Sequence, residues 1–138
     1  MKNGFTLVEL LAVIVILSIL IIIAIPTYNS VSDSIKKSNL ETTKSMLENA
    51  MLVYGNKYLI DVIKPANENC STARNCCKYY SISYIKNNNI FKTTDNSIKD
   101  ATTNKELEGY IKLSYNKNKY VLEAEHSNAV PSNCTSGG

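Results

Sequence analysis

At 138 residues and a formal charge of +3, the chain is long enough for one domain and too evenly mixed in sign to present a phosphate-reading surface. Its basic charge is nearly all lysine, with Arg74 the lone arginine, so a nucleic acid is not expected as its main partner. A single histidine, His126, and few glycines supply no Ser-His-Asp set, no histidine pair for a metal and no glycine-rich phosphate loop. Neither enzymatic activity nor a cofactor nor a metal is expected.

Residues 4 to 9 read Gly-Phe-Thr-Leu-Val-Glu and open onto an apolar run, with no charged side chain from Leu10 to Ser32. A helix over those positions is about 35 Å long, enough to cross the hydrocarbon core of a bilayer. Glu9 stands at the edge of the run, flanked by Leu7, Val8, Leu10 and Leu11. A carboxylate there is costly in lipid, and with no partner visible in its own sequence it calls for one on another chain. A cleaved secretory signal needs a shorter apolar core and a small-residue cleavage site, whereas Pro-Thr-Tyr-Asn-Ser follows this run. A plain signal anchor leaves Glu9 and the abrupt Gly4-Phe5 junction unexplained.

The hexapeptide and its apolar tail resemble the start of type IV prepilins and pseudopilins, as far as about residue 30. Pro26 stands where that family usually has a proline, and Ser18 falls where many members carry glycine. The resemblance implies that a membrane aspartic peptidase, the prepilin peptidase, cuts between Gly4 and Phe5 and that Phe5 is N-methylated. It implies subunit assembly through Phe5, Thr6 and Glu9, the glutamate meeting the amino terminus of a neighbouring subunit. The organisation that follows is a leader at 1–4, a hydrophobic transmembrane and assembly helix at 5–32, and a globular head at 33–138. The implied partners are further copies in a helical filament, other pilins and an inner-membrane assembly platform. The precursor would lie in the membrane and the filament outside the cell, in adhesion or motility. A pseudopilin of a secretion or DNA-uptake machine and a membrane-anchored binding module are the competing classes.

Past Pro26 the apolar pattern becomes periodic. Tyr28, Val31, Ile35, Met46, Leu47, Ala50, Met51, Tyr54 and Tyr58 recur at helical spacing, with Asp33, Lys36, Lys37, Glu41, Lys44 and Glu48 on the other face. This predicts an amphipathic helix continuing the anchor. Pro26 has no amide to donate and clashes with the Ile22 carbonyl, which predicts a helix kink. Lys44 is within one turn of both Glu41 and Glu48. Gly55-Asn56 predicts a helix stop, with residues 58–60 able to carry on for a turn before Pro65.

Residues 61–78 read as a loop. Residues 79–85 fit a short strand or a short helix, 93–107 read as a surface loop, and the acidic run Asp95, Asp100, Glu106 and Glu108 in and just after it reads as solvated. Residues 110–115 and 120–124 predict a hairpin around a turn at 116–119, with His126 on the surface after the second strand. The tail carrying Pro131 and Cys134 has no predicted element. Several of the nine tyrosines alternate on the hairpin and are expected to pack against the long helix. The fold class is α+β, a long N-terminal helix packed on a small antiparallel sheet.

Four cysteines, Cys70, Cys76, Cys77 and Cys134, imply disulfides formed in an oxidising space. Joining the neighbours Cys76 and Cys77 would strain the ring, which leaves Cys70 with one of that pair and Cys134 with the other. The spacing is not that of a usual zinc site. Lys2, Lys36 and Lys37 flank the span on both sides and do not orient it; the cysteines and the prepilin resemblance place the head outside.

Overall fold

The computed structural model describes residues 4–63, 76–116 and 118–138, without the side chains of residues 61 and 62. Cys70, Pro65 and most of the predicted 61–78 loop lie outside the described residues. The chain forms two compact units, Met1–Ser38 and Asn39–Gly138, and the fold is α+β.

Helix α1 spans Leu7–Tyr54 and carries Pro26 within it. In the first unit every large apolar side chain from Phe5 to Ile25 is between 45% and 82% exposed. Among the described residues nothing covers this apolar surface, which is far more than an isolated soluble domain leaves bare. Its polar side chains turn back on the helix: Ser18 Oγ donates to the Ile14 carbonyl at 2.7 Å and Thr27 Oγ1 to the Ile23 carbonyl at 3.4 Å. This removes most of the penalty for a hydroxyl on an apolar face.

In the second unit α1 packs through a narrower stripe than the periodicity predicts. Leu47 and Met51, one turn apart, are fully buried, with Leu40 and Tyr54 packed beside them, while Met46, Val53 and Tyr58 face outward. Lys44 pairs with Glu41 at 3.0 Å. Glu48, its other expected partner, instead accepts the His126 backbone N–H at 2.9 Å.

The α-helix ends at Tyr54, next to the expected Gly55-Asn56, but the chain stays helical beyond it, as residues 58–60 allowed. A π turn, Gly55–Leu59, follows α1 and leads into α2, Ile60–Ile63. Gly55 serves close approach: a Cβ there would stand 3.0 and 3.1 Å from Cδ1 of Leu113 and Leu122. A larger residue here would have to push both leucine methyls aside by a few tenths of an ångström.

The sheet comprises β1 (Cys77–Ser81), β2 (Tyr110–Asn116), β3 (Val121–Ser127) and β4 (Thr135–Ser136), in the order β3-β2-β1-β4. Both β1–β2 and β2–β3 are antiparallel, but β4 runs parallel to β1. The sheet is therefore mixed, and the tail predicted to lack an element supplies a strand. Residues 79–85 are both of the things they resemble. Strand β1 ends at Ser81, whose Oγ accepts the Tyr84 N–H at 3.1 Å as the cap of α3, Ile82–Asn87. The switch happens at serine because its hydroxyl replaces the missing helical acceptor.

Tyr80, Ile111, Leu113 and Leu122 face the core. Strand β3 runs to Ser127, so His126 lies within it, opposite Ile111, and not on the surface beyond it. Tyr79 stands edge-on to Tyr110 at 5.5 Å and Tyr80 beside Tyr84 at 5.4 Å, while Tyr28, Tyr58 and Tyr120 are exposed.

The 93–107 segment is also more than a solvated loop. It inserts Ile98 and Leu107 into the core, and its polar groups shape the backbone that does so. Ser97 donates its hydroxyl and its amide to Asp95, with Lys99 beyond, and these hold the Asp95 carboxyl down to about 2. The hydroxyl and amide of Thr102 hold Asp100 below its ordinary value in the same way. A depressed folded value contributes stability that is complete above the unfolded value of 3.8 and is lost as pH falls towards about 2. The Ser97 and Thr102 amide resonances are therefore expected to titrate with midpoints below 3.8. Midpoints at the ordinary aspartate value would show that these turns are not held by the carboxylates.

Candidate assembly site at the start of the long helix

The first helical turn is built by a local exchange between Thr6 and Glu9. The amide and hydroxyl of Thr6 both donate to Glu9 Oε2 at 2.9 Å, and the Glu9 amide donates to Thr6 Oγ1 at 3.3 Å. The Leu10 amide closes the first helical bond on the Thr6 carbonyl at 3.2 Å. Thr6 is the N-cap and Glu9 the third residue of the helix, an arrangement known as a capping box. The negative charge also faces the positive end of the helix dipole.

This corrects the expectation that Glu9 has no partner in its own sequence. The first-turn amides of a helix have no internal acceptor, and a glutamate three residues after a threonine meets that need. The Thr-x-x-Glu spacing that announces it is present at residues 6–9 and is readable beforehand. Only one Glu9 oxygen, Oε2, takes part in these bonds.

Phe5 is 82% exposed just outside the cap, and among the described residues no atom beyond its chain neighbours lies within 4 Å of where a Cβ on Gly4 would stand. The backbone at the Gly4-Phe5 bond is thus open to approach. Thr6 and Glu9 come together; Pro26 lies along the same exposed apolar helix, well away from them in sequence. The cysteines belong to the other unit. Cys77 bonds Cys134, Cys76 is also disulfide-bonded, and Cys70 is outside the described residues. Among the described residues no group of His, Cys, Asp and Glu is placed to hold a metal ion.

The prokaryotic N-terminal methylation motif matches residues 1–25. The chain thus carries a type IV prepilin-like signal, and this stretch includes Gly4, Phe5, Thr6 and Glu9. The motif implies a membrane-anchored precursor, processed by prepilin peptidase and assembled with other pilins. The helix Leu7–Leu59 is long and apolar enough to cross a membrane. No curated protein and no solved structure matches the chain.

Proposed function

We propose that the chain is a structural subunit of a type IV pilus filament, working in adhesion or motility. The observation that carries this reading is the coincidence of the methylation motif at residues 1–25 with the uncovered apolar surface from Phe5 to Ile25. The precursor sits in the membrane by that surface. Prepilin peptidase cuts between Gly4 and Phe5, Phe5 is N-methylated, and an inner-membrane assembly platform lifts the subunit out of the bilayer. Each helix then exchanges lipid for the helices of neighbouring copies. Repeated head-to-tail contacts build an open helical fibre and not a closed ring.

Phe5, Thr6 and Glu9 set the register. Cutting exposes the Phe5 amine, and the Glu9 carboxylate of one copy meets the amine of another. Pro26, which cannot serve the Ile22 carbonyl, is the point at which the helix loosens or kinks when subunits pack.

Mass spectrometry of protein sheared from the cell surface tests this. The expected chain begins at N-methylated Phe5, and Gly4→Leu is expected to leave uncut precursor in the membrane. Among the described residues a Cβ on Gly4 would meet nothing beyond its chain neighbours, so the change is expected to act on processing and not on packing. Sheared filaments whose subunits still begin at Met1, or normal processing of Gly4→Leu, would overturn the reading. A short envelope-bound assembly in place of a surface fibre would favour a pseudopilin.

A further inference from the structure

The segment after Cys134 is held to the sheet in an unusual way. Strand β4 is only Thr135–Ser136, parallel to β1 and far from it in sequence, with Thr135 opposite Lys78 and Ser136 opposite Tyr79. Beyond it the Gly137 amide donates to the Tyr79 carbonyl at 2.9 Å, and the Ser81 amide donates to the Gly138 carbonyl at 3.3 Å. The two glycines lie directly on two aromatic rings. A Cβ on Gly137 would stand 2.1 Å from Tyr80 Cζ, and one on Gly138 would stand 2.3 Å from Tyr84 Cδ2. No side chain larger than hydrogen fits either place without displacing the segment or the tyrosines.

This strip closes the outer edge of β1, whose other edge is taken by β2. An uncovered strand edge beside exposed aromatic rings is a template for pairing with another chain. Tyr80 is 2% exposed with the strip in place. Burial first, then the neighbouring Tyr54 and Tyr84, push its phenol up to about 12. So short a strand has few ladder bonds to set against the entropy of ordering its residues. Its covalent hold is the Cys77–Cys134 disulfide at its near end.

We propose that residues 134–138 form a redox-closed strap: oxidation of Cys77 with Cys134 seals the β1 edge over Tyr80 and Tyr84, and reduction frees that edge while the β2–β3 hairpin stays folded. The opening step balances with a dithiol as reductant. Its two thiols give up two electrons and two protons, the S–S bond breaks, both cysteine sulfurs end as thiols, and the reductant ends as its own disulfide. Closure is the reverse, with a disulfide as the oxidant that ends as two thiols. A chain still reduced therefore carries an open strand edge, and a chain that has met an oxidising space carries a covered one.

The experiment uses the full chain in detergent as wild type, as the double variant Cys77→Ala/Cys134→Ala, and as Gly137→Ala with the cysteines intact. The double variant cuts this tether without touching Cys76. Gly137→Ala drives the strap from the ring by steric clash. In both variants the Ser81 and Gly137 amides are expected to exchange at least about tenfold faster than in wild type, and in Gly137→Ala, which keeps the disulfide, the amides of the β2–β3 hairpin are expected to stay unchanged, which marks a local opening. Tyr80 is expected to become nitratable, and its phenol to titrate close to the usual 10 in place of about 12. Wild-type protection of Ser81 and Gly137 in the double variant would overturn the proposal. Loss of protection across the hairpin in both variants would overturn it as well, because the segment would then be part of the core and not a separable strap.

Discussion

A Glu9→Val subunit is expected to enter the membrane, lose its leader and fail to enter filaments, in cells making no other copy of it. Valine is easier to place in lipid than a carboxylate, so insertion is unharmed or improved. The defect appears only on assembly, where the Phe5 amine of a neighbouring copy is left desolvated and without a counter-charge. The capping box introduces a second role that this variant also removes, since Glu9 holds the Thr6 amide and hydroxyl. Glu9→Gln separates the two. Glutamine serves a capping box as glutamate does but carries no charge, so it is expected to restore the first turn and still assemble poorly. Both variants are read by the amount of sheared surface filament against the amount of processed subunit in the membrane. Wild-type filament from Glu9→Gln would assign Glu9 to the cap alone and remove the charge pair from the assembly reading.

Removing the Cys77–Cys134 disulfide is expected to lower the global stability of the second unit substantially. The bond closes a separation of 57 residues, worth roughly 4 kcal/mol in the chain-entropy account. Small domains keep only about 5–15 kcal/mol in total. For a unit of this size the midpoint of thermal unfolding is expected to fall on the order of 20 °C in Cys77→Ala/Cys134→Ala, followed by circular dichroism. This loss comes mainly from the unfolded chain, which regains freedom, and it is measured separately from the local opening of the strap. An unchanged midpoint would show that the unfolded chain is already held compact by other means.

The N-terminal third of the protein was legible from residues alone because its information is local. An uncharged run from Leu10 to Ser32 has one low-energy form in lipid, a helix, since every backbone group must be satisfied within the segment. The Gly-Phe-Thr-Leu-Val-Glu junction pointed to the processing and assembly chemistry. The hairpin was legible over 110–124 for a similar reason, two β-rich stretches around a polar turn, though not the extension of its second strand to Ser127. Even the capping box was there to be read at Thr6 and Glu9, but the apolar flanks of Glu9 drew the inference outward to another chain first.

What the tertiary structure decided is non-local. Gly55 reads as a helix stop until Leu113 and Leu122 are seen against it; a glycine that permits close approach and one that ends a helix look the same in one dimension. Glu48 had an obvious partner one turn away in Lys44, yet it bonds the His126 amide across the fold, because an edge-strand amide facing a helix needs an acceptor. Thr135 and Ser136 have no strand signal of their own. They become a strand because a disulfide brings them to the free edge of β1 and because Gly137 and Gly138 alone can lie on Tyr80 and Tyr84. Local pattern is enough where one solvent, lipid or water, dictates the answer. Where two segments of the chain compete for the same edge or the same core space, only their meeting in three dimensions settles which contact forms.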